Sequence, residues 1–279
     1  RATDRVFNAL PWANCISDML ISTAKHAPLD SEPLLITHDE VKRAVVVVVT
    51  SDRGLAGGFN SNVLREAEKL IKAKEKQGIE VEVIACGKKA IGYFNYRGVK
   101  PIFEFRDLSA DPTYEEAAEI SAYIGEGYNH GYENGQIDEV TLVFNHARKG
   151  AEQTPMVQQV LPINMMSFAD VLGLEPKEED VLEPYRDGEK KIPGDVDFEP
   201  DAATVMHQLM VAYLRNTFYY ALIDSAAAEQ GARRTAMKSA TDNATEMAET
   251  LTRLYNRVRQ GAITTEISEI VGGAAALED

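Results

Sequence analysis

The sequence predicts an α/β protein that combines a Rossmann-like domain with long coiled-coil helices at its N- and C-terminal ends. Three patterns carry this expectation. β-Branched apolar runs alternate with amphipathic stretches between residues 40 and 165, and apolar 3,4 repeats occupy residues 6–20 and 237–258. With 279 residues, 44% of them hydrophobic, the chain holds enough apolar material for one or two cores.

The first element is a helix spanning residues 1–27. Val6, Ala9, Ala13, Ile16 and Leu20 recur three and four apart, which places them in one seam. Pro11 removes a backbone donor and crowds the turn before it, so a kink or restart is expected there. His26 to Asp39, with Pro28 and Pro33, is expected to be a linker.

Residues 40–165 form the predicted α/β domain. Strands are expected at Lys42–Thr50, Val81–Cys86, Glu139–Asn145 and Met156–Ile163, and helices at Asn60–Gln77, Lys88–Tyr96 and Pro112–Tyr132. Strands that are apolar on both faces belong in a sheet covered on both sides. The βαβα order therefore points to a doubly wound parallel sheet.

Residues 166–200 lose all periodicity. From Glu175 to Asp201 there are 11 acidic and 4 basic side chains, with Pro176, Pro184, Pro193 and Pro200, so an acidic loop insertion is expected. Beyond Pro200 there is no proline, and residues 201–279 are predicted to be a second coiled-coil helix capped by Asp201. Met237, Ala240, Ala244, Met247, Leu251, Leu254 and Val258 form its seam. If continuous from Val205 to Val271, this helix is on the order of 100 Å long at ~1.5 Å per residue. A helix over residues 3–25 covers roughly a third of that length. Much of the seam therefore needs another partner.

Composition excludes several classes of function. A net charge of −15 argues against a surface that binds nucleic acid or anionic lipid throughout. No apolar run approaches the ~20 residues of a membrane span. The two cysteines, Cys15 and Cys86, form no disulfide framework, and the five histidines show no ligand-like spacing, so neither a metal nor a cofactor is expected. No catalytic triad, nucleophile elbow or acid/base pair is present. The glycine-rich turn Ser51–Asn60 matches neither dinucleotide nor P-loop spacing, and its glycines suit a tight strand-to-helix turn. A nucleotide-binding α/β module with a coiled-coil tether remains the alternative reading. Charge along the last helix reverses sign: Glu229 to Gln260 carries six basic and four acidic side chains, which suits a helix lying beside acidic loops of a partner.

Several motifs together define a resemblance. They are Ser51 to Leu55 (S-D-R-G-L) with Gly57 to Asn60 (G-G-F-N), Phe198 to Asp201 (F-E-P-D), Ser225 to Gln230 (S-A-A-A-E-Q), Ala236 to Asn243 (A-M-K-S-A-T-D-N) and Ile263 to Ile270 (I-T-T-E-I-S-E-I), followed by Gly273 and Ala274. In these the chain resembles the bacterial gamma subunit of F-type ATP synthase, the central rotor shaft, over nearly its whole length except the acidic loop. The resemblance implies an antiparallel coiled coil of the N- and C-terminal helices inside a head of alpha and beta subunits. It also implies an α/β domain contacting the epsilon subunit and the c-subunit ring. The shaft would be non-catalytic, coupling proton flow to ATP synthesis and hydrolysis on the beta subunits. It would lie peripherally at the cytoplasmic face of the bacterial cell membrane, touching the membrane only through its partners.

Residue by residue, the resemblance makes Arg259, Gln260, Thr264 and Glu266 hydrogen-bonding contacts to beta near the upper shaft. Glu229 and Arg233 would sit lower on the same helix, and Glu199 on the foot facing epsilon and the c ring. Ile263, Ile267 and Ile270 would enter an apolar bearing. Two departures stand out. Ala56 replaces a frequent cysteine, and the basic segment that opens family members is missing before Arg1, so Leu251 and Leu254 are expected to be exposed. The acidic loop carries no thiol for a dithiol switch.

Overall fold

The computed structural model describes residues 2–24, 26, 27, 30, 32–108, 111–131, 135–147, 153–163 and 197–278. The expected acidic loop lies, from residue 166 to 196, outside them. Two compact units are distinguished, Arg1–Arg233 and Arg234–Asp279.

The first unit opens with α1 (Ala2–Ala24), which runs unbroken through Pro11. The expected restart does not occur, because one missing amide removes a single intrahelical bond while Ala13, Ile16 and Leu20 are held in the core. The expected linker is more ordered than its prolines suggest. Pro33–Leu35 forms a 3₁₀ turn capped by Glu32, and Leu34 is fully buried in the core.

The sheet contains β1 (Arg43–Val49), β2 (Glu80–Cys86), β3 (Phe103–Phe105), β4 (Glu139–Ala147) and β5 (Gln153–Leu161), in the order β3-β2-β1-β4-β5. The first four run parallel, and β1 is buried along its entire length between β2 and β4. β5 pairs antiparallel with β4, with Val143 opposite Val157. The sheet is thus mixed rather than wholly parallel. Too few residues separate β4 from β5 for a helical crossover, so the chain returns as a hairpin. β3 escaped the sequence reading because three residues show no period.

Helices cover both faces. α2 (Phe59–Glu75) and α3 (Lys88–Tyr96) pack on one face, where Val63, Ala67, Ala90 and Phe94 meet Val46, Val48, Val83 and Val143. On the other, α4 (Tyr114–Asn129) and the first part of α5 (Ala202–Glu278) meet Val45, Val47, Ile84 and Leu142 through Ile120, Ile124, Met210 and Phe218. α4 starts with a reciprocal Thr113–Glu116 capping box, which satisfies two orphan amides at once. The alternation along β1 makes this sandwich: odd-numbered valines enter one core and even-numbered ones the other.

α1 and α5 run in opposite directions. His26, just beyond α1, lies 5.4 Å from Phe198, just before α5, and Ile16 and Leu20 share a core with Met206, Met210 and Leu214. Asp201 caps α5 as expected, accepting from the Thr204 amide at 2.8 Å and its hydroxyl at 2.8 Å. These bonds hold the Asp201 carboxyl below the usual aspartate range.

The second unit is the continuation of α5 from Arg234. Leu251, Leu254 and Val258 are 58%, 46% and 63% exposed, so the seam is open to solvent.

Candidate partner-binding surface

Four of the expected contact residues, Arg259, Gln260, Thr264 and Glu266, lie together on the last turns of α5 and are all exposed. At about 100° per residue, Arg259 and Glu266 share one helical line, whereas Gln260 and Thr264 lie within about 40° of each other and about 100–160° around the helix from that line. Thr264 donates its hydroxyl to the Gln260 carbonyl at 2.9 Å, which fixes its rotamer. Arg253 lies 3.9 Å from Glu249, whereas Arg257 and Arg259 have no ion pair among the described residues. An unpaired guanidinium on a solvent-facing helix is free to fork onto a carboxylate.

The apolar face changes side within this segment. Continuing the 3,4 seam past Val258 leads to Gly261, Thr265, Ser268 and Gly272. Ile263, Ile267 and Ile270, all exposed, stand two residues off that line, about 200° around the helix. The lower seam and the terminal isoleucines therefore address different surroundings.

Glu229 and Arg233 sit in the first unit. Glu229 is buried, and Arg233 Nη2 donates to its carboxylate at 2.6 Å and to the Gly54 carbonyl at 3.3 Å. Alongside them, Ala228 and Ala232 pack onto Ala56 and Phe59 of the glycine-rich turn. Glu229 thus faces its own chain, and Arg233 is the partly exposed member of the pair. Glu199 is exposed beside Pro200 at the approach to α5.

This packing bears on the alternative reading. In an open α/β sheet, a ligand enters at the carboxyl ends of the strands where the order reverses, here between β1 and β4. α5 fills that place. The turn's polar groups are also used internally: Ser51 N–H donates to Asn60 Oδ1 at 2.9 Å, and Asp52 Oδ1 accepts from the amides of Lys88 and Asp107, each at 3.0 Å. Asp52 thus satisfies the first amide of α3. Thr50 Oγ1 takes a further α3 amide, that of Ala90, at 2.9 Å.

Sequence reasoning missed a second buried contact nearby. Asp224, 1% exposed, accepts from His146 Nδ1 at 2.7 Å and from the Ala147 amide at 3.2 Å. No spacing rule links residues 78 positions apart, so only the fold brings them together.

A family profile described as ATP synthase matches residues 1–277. The ATP synthase gamma chain of Cutibacterium acnes is 36% identical over 288 residues, covering 100% of this chain and 88% of that one. The gamma chain of Frankia casuarinae is 39% identical over 277 residues, covering 99% of this chain and 87% of that one. The chain belongs to the ATP synthase gamma chain family. Among solved structures, the fold matches a chain of the Euglena gracilis mitochondrial ATP synthase (OSCP/F1/c-ring, rotational state 3), with a TM-score of 0.56, 15% identity, and coverage of 99% of this chain and 93% of that one. The central stalk/c-ring structure of Tetrahymena thermophila mitochondrial ATP synthase gives a TM-score of 0.52 at 19% identity, covering 86% of this chain and 99% of that one. In this chain that fold is a mixed, parallel-dominated sheet with a long C-terminal helix. Among its described residues, no helix is long and apolar enough to cross a membrane.

Proposed function

We propose that this gamma chain is the central stalk of a proton-driven ATP synthase, turning inside a head of alpha and beta subunits and coupling proton flow to ATP synthesis and hydrolysis. The observation that supports it best is the open seam of α5, Leu251, Leu254 and Val258. Fully burying each such side chain is worth roughly 1.5–3 kcal/mol, a strong drive to be enclosed by other polypeptides. In this reading the bond chemistry belongs to the beta subunits. The stalk contributes contact energy that differs between orientations, since a contact equal in every state shifts no equilibrium.

Arg259, Gln260, Thr264 and Glu266 are assigned to beta-subunit contacts, with Ile263, Ile267 and Ile270 in an apolar collar around the shaft end. Arg233, oriented by Glu229, serves a lower contact, and Glu199 faces epsilon and the c ring. The chain is assigned to the cytoplasmic face of a bacterial membrane, held there through its partners. In this reading residues 1–27 and 201–279 form the coil, 40–165 the α/β domain and 166–200 the insertion.

The test is reconstitution with the alpha and beta subunits, using ATP hydrolysis and rotation of a bead attached to the α/β domain as readouts. Stepwise, ATP-dependent turning is expected. Failure to join the head, or ATP turnover by the isolated chain, overturns the proposal.

A further inference from the structure

A turning stalk is useful only if its long helix cannot slip in its mount. In the first unit α5 rests on the sheet mainly through Met206, Met210, Leu214, Phe218 and Ala221. Such contacts are non-directional, and methionines readily repack around a rotated neighbour. They resist removal of the helix better than rotation about its axis.

Directional contacts occur at the sheet's reversal point. Both Asp224 carboxylate oxygens are engaged by the end of β4, through His146 Nδ1 at 2.7 Å and the Ala147 amide at 3.2 Å. Five residues on, buried Glu229 holds Arg233, whose guanidinium reaches the Gly54 carbonyl of the turn after β1. The helix is therefore tied to the ends of both strands that flank the reversal. Asn145 Nδ2 donates to the Phe59 carbonyl at 2.9 Å, which bridges those two ends beneath it. Ala228 and Ala232 let the helix approach closely enough for these bonds to form. A turn of one residue, about 100°, would carry the Asp224 carboxylate away from His146 and Ala147 and the Arg233 guanidinium away from the Gly54 carbonyl.

We infer that the Asp224–His146 contact, seconded by Glu229–Arg233, is a latch that fixes the rotational phase of α5 on the α/β domain, and that it is the torque-bearing joint of the stalk. Asp224 and His146 are positioning residues: they touch no nucleotide and act through the helix they hold. The inference rests on the stalk reading above and adds to it where the torque crosses from helix to sheet.

The experiment uses the complete complex in membrane vesicles, reading ATP hydrolysis together with ATP-driven proton pumping. Asp224→Ala and His146→Leu are expected to keep hydrolysis within two-fold of the parent while lowering pumping per ATP at least three-fold. His146→Gln, which retains a neutral donor, is expected to restore most of the pumping. A structural role alone would lower the yield of complex and leave pumping per ATP unchanged, and that result overturns the latch. Should Asp224→Ala fail to assemble, the isosteric Asp224→Asn decides by the same ratio. A parent complex that hydrolyses ATP without pumping refutes the stalk reading itself, which separates the two failures.

Discussion

The guanidinium of Arg43 lies 2.6 Å from the carboxylate of Glu82, joining β1 to β2 through a pair that is almost wholly enclosed. Arg43 Nη1 also donates to the Gly135 carbonyl at 3.0 Å, so one side chain binds three parts of the sheet's lower edge. Arg43→Met leaves Glu82 without its partner and should cost about 3–5 kcal/mol. The double variant R43M/E82L should regain most of that loss. Urea denaturation of the full chain measures both, and equal midpoints for R43M and the parent would contradict the prediction.

Gly87 joins β2 to α3 with a φ of 95°, and a Cβ there would stand 2.3 Å from the Thr50 carbonyl oxygen. Gly78 has a φ of 81° but open space around it. Gly87→Ala should therefore destabilise by about 3 kcal/mol or more, combining backbone strain with a backbone clash. Gly78→Ala should cost only about 1–2 kcal/mol, the price of the left-handed backbone alone. Thermal melts of the two variants compare these costs directly, and the order Gly87→Ala below Gly78→Ala is the expected result.

Leu251 and Leu254 contact solvent in the chain by itself. Replacing both with serine should change its unfolding free energy by no more than about 0.5 kcal/mol per site, as for surface positions generally. The same replacements should weaken association with alpha and beta subunits by at least ten-fold. Denaturation of the free chain and a pull-down with the head provide the two readings, and a large loss of stability in the free chain would show that the seam is already covered.

Asp201 stabilises the first turn of α5 only while ionised. Its pKa is depressed on folding, so the contribution is present above the unfolded value, near 3.8, and disappears as pH falls through the lower folded value. Amide exchange at Thr204 should accelerate, relative to residues further along α5, below about pH 4. In Asp201→Ala the faster exchange should already be present at neutral pH. No difference between parent and variant at pH 7 would remove the cap from the account.

Cys15 is exposed on α1, whereas Cys86 is fully buried, and burial pushes its thiol well above the usual range. A thiol reagent at pH 8 should label one cysteine quickly in the native chain and the second only after denaturant is added. Rapid labelling of Cys86 in the folded protein would mean that the end of β2 opens readily.

The α/β domain was legible because its signals are local. Ala44–Val49 is uniformly apolar, and Lys88–Tyr96 shows its helical period between two glycine-marked turns, so both were located closely. The direction of β5 was not legible, because Met156–Ile163 has the same composition whichever way it pairs. Arg259, Gln260, Thr264 and Glu266 were expected as contacts from a motif resemblance, and the structure adds that their side chains are exposed. Their directions around the helix follow from its 3.6-residue period.

The sequence by itself determined the two helical seams, the covered sheet and the family, because periodicity and motifs are properties of neighbouring residues. Only the tertiary structure decided that Glu229 turns inward, that α5 fills the crevice between β1 and β4, and that Asp224 finds His146. Those outcomes depend on which surfaces the folded chain brings within hydrogen-bonding reach and removes from water, and a linear pattern contains no such distances.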